Sequence, residues 1–193
     1  MNAYILAGGA SSRMGTDKSL LPHNGSTLLE HAITFLRPHC TEVALVGNHP
    51  HLAQYARTIR DYHTGCGPLA GIHAALLDTT TEWSLIFAVD VFAPDPRILE
   101  VLASHAAAAK PDCFAVVPRL TDRPEPLCAL YRKPFSELAQ TALARGDYKV
   151  GALFPAAHAL FLTETDFLKA GIAPELRNIN TPDDYAQLLN QTP

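Results

Sequence analysis

Short apolar runs, each stopping at a polar loop, constrain this chain more than any other feature. Residues 4–7 run into Gly8 and Gly9, residues 43–46 into Gly47 and Asn48, and residues 84–89 into Asp90. Such runs, apolar throughout and closed by turn residues, read as strands buried on both faces. Helical segments alternate with them. Thr27 and Glu30 have capping-box spacing, and Leu28, Leu29, Ala32, Ile33 and Leu36 then form one apolar face that ends at Pro38. A turn is predicted at Asn24 and Gly25, a short helix over residues 52–56, a weak strand over 58–60, and a helix leaving the glycine-rich loop at 65–71. An alanine-rich helix over 98–109 precedes a strand at 114–117, and residues 118–126 read as a polar connection bounded by prolines. Strands at 127–131 and 157–162, a helix at 135–144 and a closing helix at 181–189, with Thr181 as N-cap and Pro182 behind it, complete the pattern. The alternation predicts an α/β fold, a three-layer Rossmann-like arrangement with a mainly parallel central sheet covered on both faces. With 193 residues, no internal repeat and no linker, the chain reads as a single domain, 1–193.

Composition narrows the function. Apolar residues make up 48% of the chain, enough to fill a core, and the net charge is −4 without clustered Lys and Arg. That speaks against wrapping nucleic acid or binding an anionic membrane, though a small basic pocket remains compatible with it. The four cysteines, Cys40, Cys66, Cys113 and Cys128, lack the close pairing of a zinc knuckle and read as buried free thiols in a reducing compartment. No stretch resembles a secretion signal, and no apolar run reaches the about 20 residues of a membrane-spanning helix, so the expected location is the cytoplasm.

In open α/β sheets ligands bind at the carboxyl ends of strands, and three polar features fall there: the loop following residue 7, the loop at 61–71, and Asp90. The first reads Leu6-Ala7-Gly8-Gly9-Ala10-Ser11-Ser12-Arg13-Met14-Gly15-Thr16-Asp17-Lys18. Its small residues let backbone N–H groups point at an anion, and Arg13 and Lys18 add charge for phosphate oxygens. It is not a P-loop, because five residues separate Gly9 from Gly15 and the lysine comes three later. Nor is it the Gly-x-Gly-x-x-Gly dinucleotide pattern. On composition alone it could equally be a glycine-rich turn with solvated charges. The nine histidines, His49, His51 and His63 among them, show no helical i, i+4 pairing beside an acid and read as loop or surface residues.

The loop resembles the signature of the MobA-type molybdenum cofactor guanylyltransferases, within the wider GT-A-like (nucleotide-diphospho-sugar transferase type) nucleotidyltransferases. The resemblance continues through Gly67-Pro68-Leu69-Ala70-Gly71, the strand ending at Asp90, Pro126-Leu127-Cys128-Ala129-Leu130-Tyr131, and Asn178-Ile179-Asn180-Thr181-Pro182. It implies transfer of GMP from GTP to the terminal phosphate of molybdopterin (or Mo-molybdopterin), with Mg²⁺ as cofactor and pyrophosphate as leaving group. The attacking group is then already an ionised phosphate oxygen, so the want of a nucleophilic triad is expected. By the same resemblance Leu6, Ala7, Gly8, Gly9, Lys18, Asn48, Asp61 and Asp90 bind nucleotide, with Asp61 reading guanine. Arg13, Lys18 and Asp90 serve catalysis, and Asp90 and Asn180, with Asn178 as a weaker candidate, hold the metal. Taken as bare residues, Asp90 could instead be a helix cap or loop acid, Asp61 a surface acid, and the asparagines a cap before the last helix.

The nucleotide-binding part would span about 1–95 and the acceptor-binding part about 96–193. Residues 145–149 would lie near the pterin, or form an ordinary helix-to-loop junction. Other cofactor-biosynthesis proteins and recipient molybdoenzymes are the implied protein partners. One departure stands out: the family usually follows its metal aspartate with Met-Pro or Thr-Pro, whereas here the run is Asp90-Val91-Phe92-Ala93-Pro94. A reshaped turn after the ligand is therefore expected. Alternatives are a CTP-dependent or other small nucleotidyltransferase of the same fold, and a nucleotide-binding delivery protein.

Overall fold

The computed structural model describes residues 1–7, 17–92 and 95–190. Its elements in chain order are β1 (Asn2–Leu6), β2 (Pro22–His23), β3 (Ser26–Thr27), α1 (Leu28–Leu36), β4 (Glu42–Val46), β5 (Arg57–Ile59), α2 (Pro68–Asp78), β6 (Trp83–Ala88) and β7 (Val91–Phe92). They continue with α3 (Arg97–Ala108), β8 (Ala115–Leu120), β9 (Arg123–Pro124), β10 (Cys128–Arg132), α4 (Phe135–Ala144), β11 (Leu160–Thr163), α5 (Glu164–Lys169), β12 (Arg177–Asn178) and α6 (Pro182–Asn190).

The main sheet runs β11-β8-β10-β6-β1-β4-β5, with β9 on the outer end of β8. β1, β4, β5 and β6 are mutually parallel, β10 is antiparallel to both of its neighbours, and β11 is parallel to β8. The sheet is therefore mainly parallel, as the apolar runs predict. Alternation along β1 explains the layering: Ala3 and Ile5 face α1 and α3, packing with Leu29, Leu36, Ile98 and Leu102. Tyr4 and Leu6 face α2 and α4, packing with Leu69, Ile72, Phe135 and Ala139. Burial of each large side chain contributes about 1.5–3 kcal/mol, so the central strand is fixed from both sides.

Local signals explain most element boundaries. Thr27 caps α1 by accepting from the Glu30 amide at 3.2 Å, while the Glu30 carboxylate accepts from the Thr27 amide at 2.8 Å. Asn24 and Gly25 join β2 to β3 with φ of 47° and 78°, the left-handed pair of a tight hairpin.

Elsewhere the structure corrects the sequence reading. The helix expected at 52–56 is a 3₁₀ turn over Pro50–Gln54. The polar segment 118–126 is a hairpin, in which β8 continues through Pro118 and turns back at Thr121 and Asp122, both left-handed at φ 48° and 62°. Those residues lack the Asn-Gly signature, so the turn was invisible. α5 was missed as well: it is capped by Thr163 and Asp166 but buries only Phe167, leaving no period to detect. All four cysteines are free thiols, yet only Cys113 and Cys128 are buried. Among the described residues no helix is long and apolar enough to cross a membrane.

Candidate active site

Topology places a crevice before any side chain is considered. From β1 the chain steps outward to β4 and β5, and from β6 it passes to the opposite half of the sheet through β8 and β10. The carboxyl ends of β1 and β6 therefore flank the point where connections diverge, the position at which such sheets bind ligands. Here the Ala7 amide donates to the Val46 carbonyl at 3.1 Å and the Val89 amide to the Leu6 carbonyl at 3.3 Å, closing the ladder. Residues 8–16 follow Ala7, and Asp90 follows Val89 at the end of β6. Gly8, Gly9 and Arg13 lie outside the described residues.

Lys18 starts a 3₁₀ turn, Lys18–Leu20, capped by the Asp17 carboxylate. Its ammonium donates to the Ile179 carbonyl at 3.1 Å and to Asn180 Oδ1 at 3.3 Å. Asp90 Oδ2 lies 3.5 Å from the same nitrogen, and the Lys18 and Asp90 side chains are only 17% and 23% exposed. Three oxygens, two of them from a segment far along the chain, thus surround one cation.

Backbone pairing explains how Asn180 reaches this edge. β12 pairs antiparallel with β7, setting Asn178 opposite Val91, and the Ile179 amide donates to the Asp90 carbonyl at 2.8 Å. Ile179 packs beneath with Leu28, Leu188 and Phe92, and the Tyr185 hydroxyl donates to the Pro22 carbonyl. The departure after Asp90 thereby acquires a structural role: Val91 and Phe92 form the strand that binds the C-terminal segment, while Ala93 and Pro94 lie outside the described residues. Asn178, on the opposite side of this pairing, donates to Glu125, whose carboxyl is pushed up by burial and drawn partly back by that bond.

Asn48 and Asp61 form a second group at the carboxyl ends of β4 and β5, about 5 and 10 Å from β1 across the sheet. The Asn48 amide donates to the Asp61 carbonyl at 3.1 Å, and Asp61 Oδ1 accepts from the His63 amide at 2.8 Å. Leu6 ends β1 and Ala7 follows it, both buried. Leu6 packs so closely on α2 that a Cβ at Gly71 would stand 3.0 Å from its Cδ2. Sequence reasoning missed the Ile179 carbonyl, since a backbone oxygen carries no residue signature. Its position between two candidate asparagines was the only available hint.

Chemically, the Lys18 ammonium marks a place where a cation is stable, and its partners are all oxygens. A carboxylate, an amide carbonyl and a backbone carbonyl suit a hard divalent cation that keeps water and phosphate among its ligands. Residues 3–159 match the MobA-like NTP transferase domain. The chain is 35% identical over 192 residues to "Probable molybdenum cofactor guanylyltransferase" of Carboxydothermus hydrogenoformans, covering 98% of this chain and 95% of that protein. It is 34% identical over 190 residues to the molybdenum cofactor guanylyltransferase of Vibrio cholerae, covering 95% and 88% respectively. Its fold superposes with a TM-score of 0.80 on the crystal structure of molybdopterin-guanine dinucleotide biosynthesis protein A from Archaeoglobus fulgidus, at 28% identity and over 98% and 97% of the two chains. A family model matching residues 3–159 and relatives this similar over nearly the whole chain mean that the protein belongs to the MobA-like NTP transferase family.

Proposed function

We propose that the chain transfers GMP from GTP to the terminal phosphate of molybdopterin, forming molybdopterin guanine dinucleotide and releasing pyrophosphate. The observation that carries this reading is the Lys18 ammonium seated among Asp90, Asn180 and the Ile179 carbonyl, at the crevice of a chain whose full-length relatives carry the guanylyltransferase name. An acceptor phosphate oxygen attacks the α-phosphorus of GTP and the bond to the β-phosphate bridge breaks. No proton need be removed from the nucleophile.

The chain's residues are then required to hold two anions in line and to offset their charge. Lys18, released from its three oxygens, pairs with phosphate oxygens alongside Arg13. Asp90 and Asn180 are left to hold Mg²⁺, which supplies charge neutralisation of the triphosphate. The loop beginning at Leu6, Ala7, Gly8 and Gly9 receives the nucleotide, and Asp61 accepts from the guanine N1–H and amine with Asn48 beside it. In this reading 1–193 is one domain, with nucleotide bound mainly by about 1–95 and acceptor by about 96–193. Asn180 crosses over to complete the metal half. Other cofactor-biosynthesis proteins and recipient molybdoenzymes would meet it in the cytoplasm.

The test supplies the purified protein with Mg²⁺, molybdopterin and GTP, CTP or ATP in turn. Pyrophosphate should appear with GTP alone, and release with CTP but not GTP would overturn the choice of base. Asp90→Asn should fold, as circular dichroism would show, yet lose turnover, and full activity in that variant would remove Asp90 from the metal site.

A further inference from the structure

Beside the three-oxygen site, one further cluster combines side chains that transition metals favour. Asp17, His49 and His51 bring their ligand atoms within 4.8 Å of one another. They lie on the segments that follow β1 and β4, neighbouring parallel strands, so both segments emerge at the same edge of the sheet. Local structure orients each group. Asp17 Oδ1 accepts from the Ser19 amide at 3.0 Å and hydroxyl at 2.7 Å, and its Oδ2 lies 3.1 Å from His51 Nε2. Pro50 restricts the turn between the histidines, whose ring centroids stand 5.7 Å apart at 82°. Burial opposes ionisation of Asp17, but hydrogen bonds from Ser19 and His51, with His49 nearby, outweigh it and hold the carboxyl below its usual range. The carboxylate is therefore in the form that ligates metal.

We propose that Asp17, His49 and His51 bind a divalent transition ion of the zinc class and clip the Lys18 segment to the β4 edge. Two imidazoles and a carboxylate suit Zn²⁺, Co²⁺ or Ni²⁺, whereas the Asp90–Asn180 set, all oxygen, suits harder ions. Tetrahedral bonding places ligand atoms about 3.3 Å apart. The Asp17–His51 pair already stands at 3.1 Å, so closure needs His49 to swing by no more than about 1.5 Å from the 4.8 Å limit. His51 is half exposed, which leaves the fourth position open to water. The test of the site needs no turnover.

Cobalt(II) is the probe, because four-coordinate binding by imidazole and carboxylate produces intense visible absorption that the hydrated ion lacks. Wild-type protein without nucleotide should develop these bands, saturating at a single equivalent, and Zn²⁺ should bleach them. His49→Asn/His51→Asn should lose them while circular dichroism shows a folded chain, and Asp17→Asn should need far more cobalt to reach the same signal. Asp90→Asn should keep them. Absence of bands in the wild type, their persistence in the double histidine variant, or their loss in Asp90→Asn would each overturn the assignment.

Discussion

Replacing Lys18 with methionine keeps the aliphatic stem and removes the ammonium that gathers Asp90, Asn180 and the Ile179 carbonyl. At the 3.5 Å separation from Asp90, the gross attraction is about 5 kcal/mol for an effective dielectric of about 20. Both side chains are largely buried, so desolvation offsets more than half of that. With the hydrogen bonds of 3.1 and 3.3 Å to Ile179 and Asn180, the net contribution comes to about 2 kcal/mol. In a chain of this length the loss should lower the thermal midpoint by about 4–8 °C. Mg²⁺ should then restore part of the loss in Lys18→Met, because the vacated oxygens accept a cation, and it should move the wild type little while the ammonium occupies them. Adding Asp90→Asn to Lys18→Met should abolish the Mg²⁺ response. Scanning calorimetry of the nucleotide-free proteins, with and without Mg²⁺, measures all of these. A midpoint unaffected by Lys18→Met, or an equal Mg²⁺ shift in both proteins, would refute the idea that lysine and metal share one set of ligands.

Three further outcomes concern the scaffold beneath the site. Asp78 accepts from Arg57 at 2.8 and 2.9 Å and from the buried Tyr4 hydroxyl at 2.9 Å. Asp78→Ala should cost about 2 kcal/mol, chiefly by orphaning that hydroxyl, so that Tyr4→Phe in the same background adds little in urea unfolding. The Arg57 bonds, against burial and helped by Tyr4, hold the Asp78 carboxyl below its usual range. A depressed folded value stabilises above the unfolded pKa, about 4, and is lost as pH falls through the folded one. Acid should therefore weaken wild type more steeply than Asp78→Asn, and parallel pH profiles would contradict this. Gly71→Ala would set its Cβ 3.0 Å from Leu6 Cδ2. Overpacking of about 1–3 kcal/mol exceeds the helix-propensity gain of about 1 kcal/mol, so the thermal midpoint should fall and turnover with it, because Leu6 ends β1. A raised midpoint would show that the contact is not tight.

Much of the frame was legible because its signals are local. The apolar runs ending at Ala7, Val46 and Val89 identify β1, β4 and β6 through composition alone, since strands buried on both faces tolerate almost nothing polar. Thr27 and Glu30 mark the start of α1 by reciprocal hydrogen bonds that span three residues. The ends of β1, β4 and β6 could be assigned to one sheet edge because parallel strands direct their carboxyl ends the same way. What no local pattern contains is the partner of a two-residue strand. β7 and β12 are too short for periodicity, and their pairing depends on Phe92, Ile179, Leu28 and Leu188 finding one another. That pairing alone brings the Ile179 carbonyl and Asn180 to Lys18, 161 and 162 residues away in sequence. The same holds for Asp17 with His51, separated by 34 residues. The sequence by itself therefore determined the layered sheet and the edge at which sheets of this kind bind ligands. The grouping of side chains into an oxygen cradle and a histidine–carboxylate cluster was decided by tertiary structure, because packing between distant segments, rather than propensity within either, sets which polar atoms face one another.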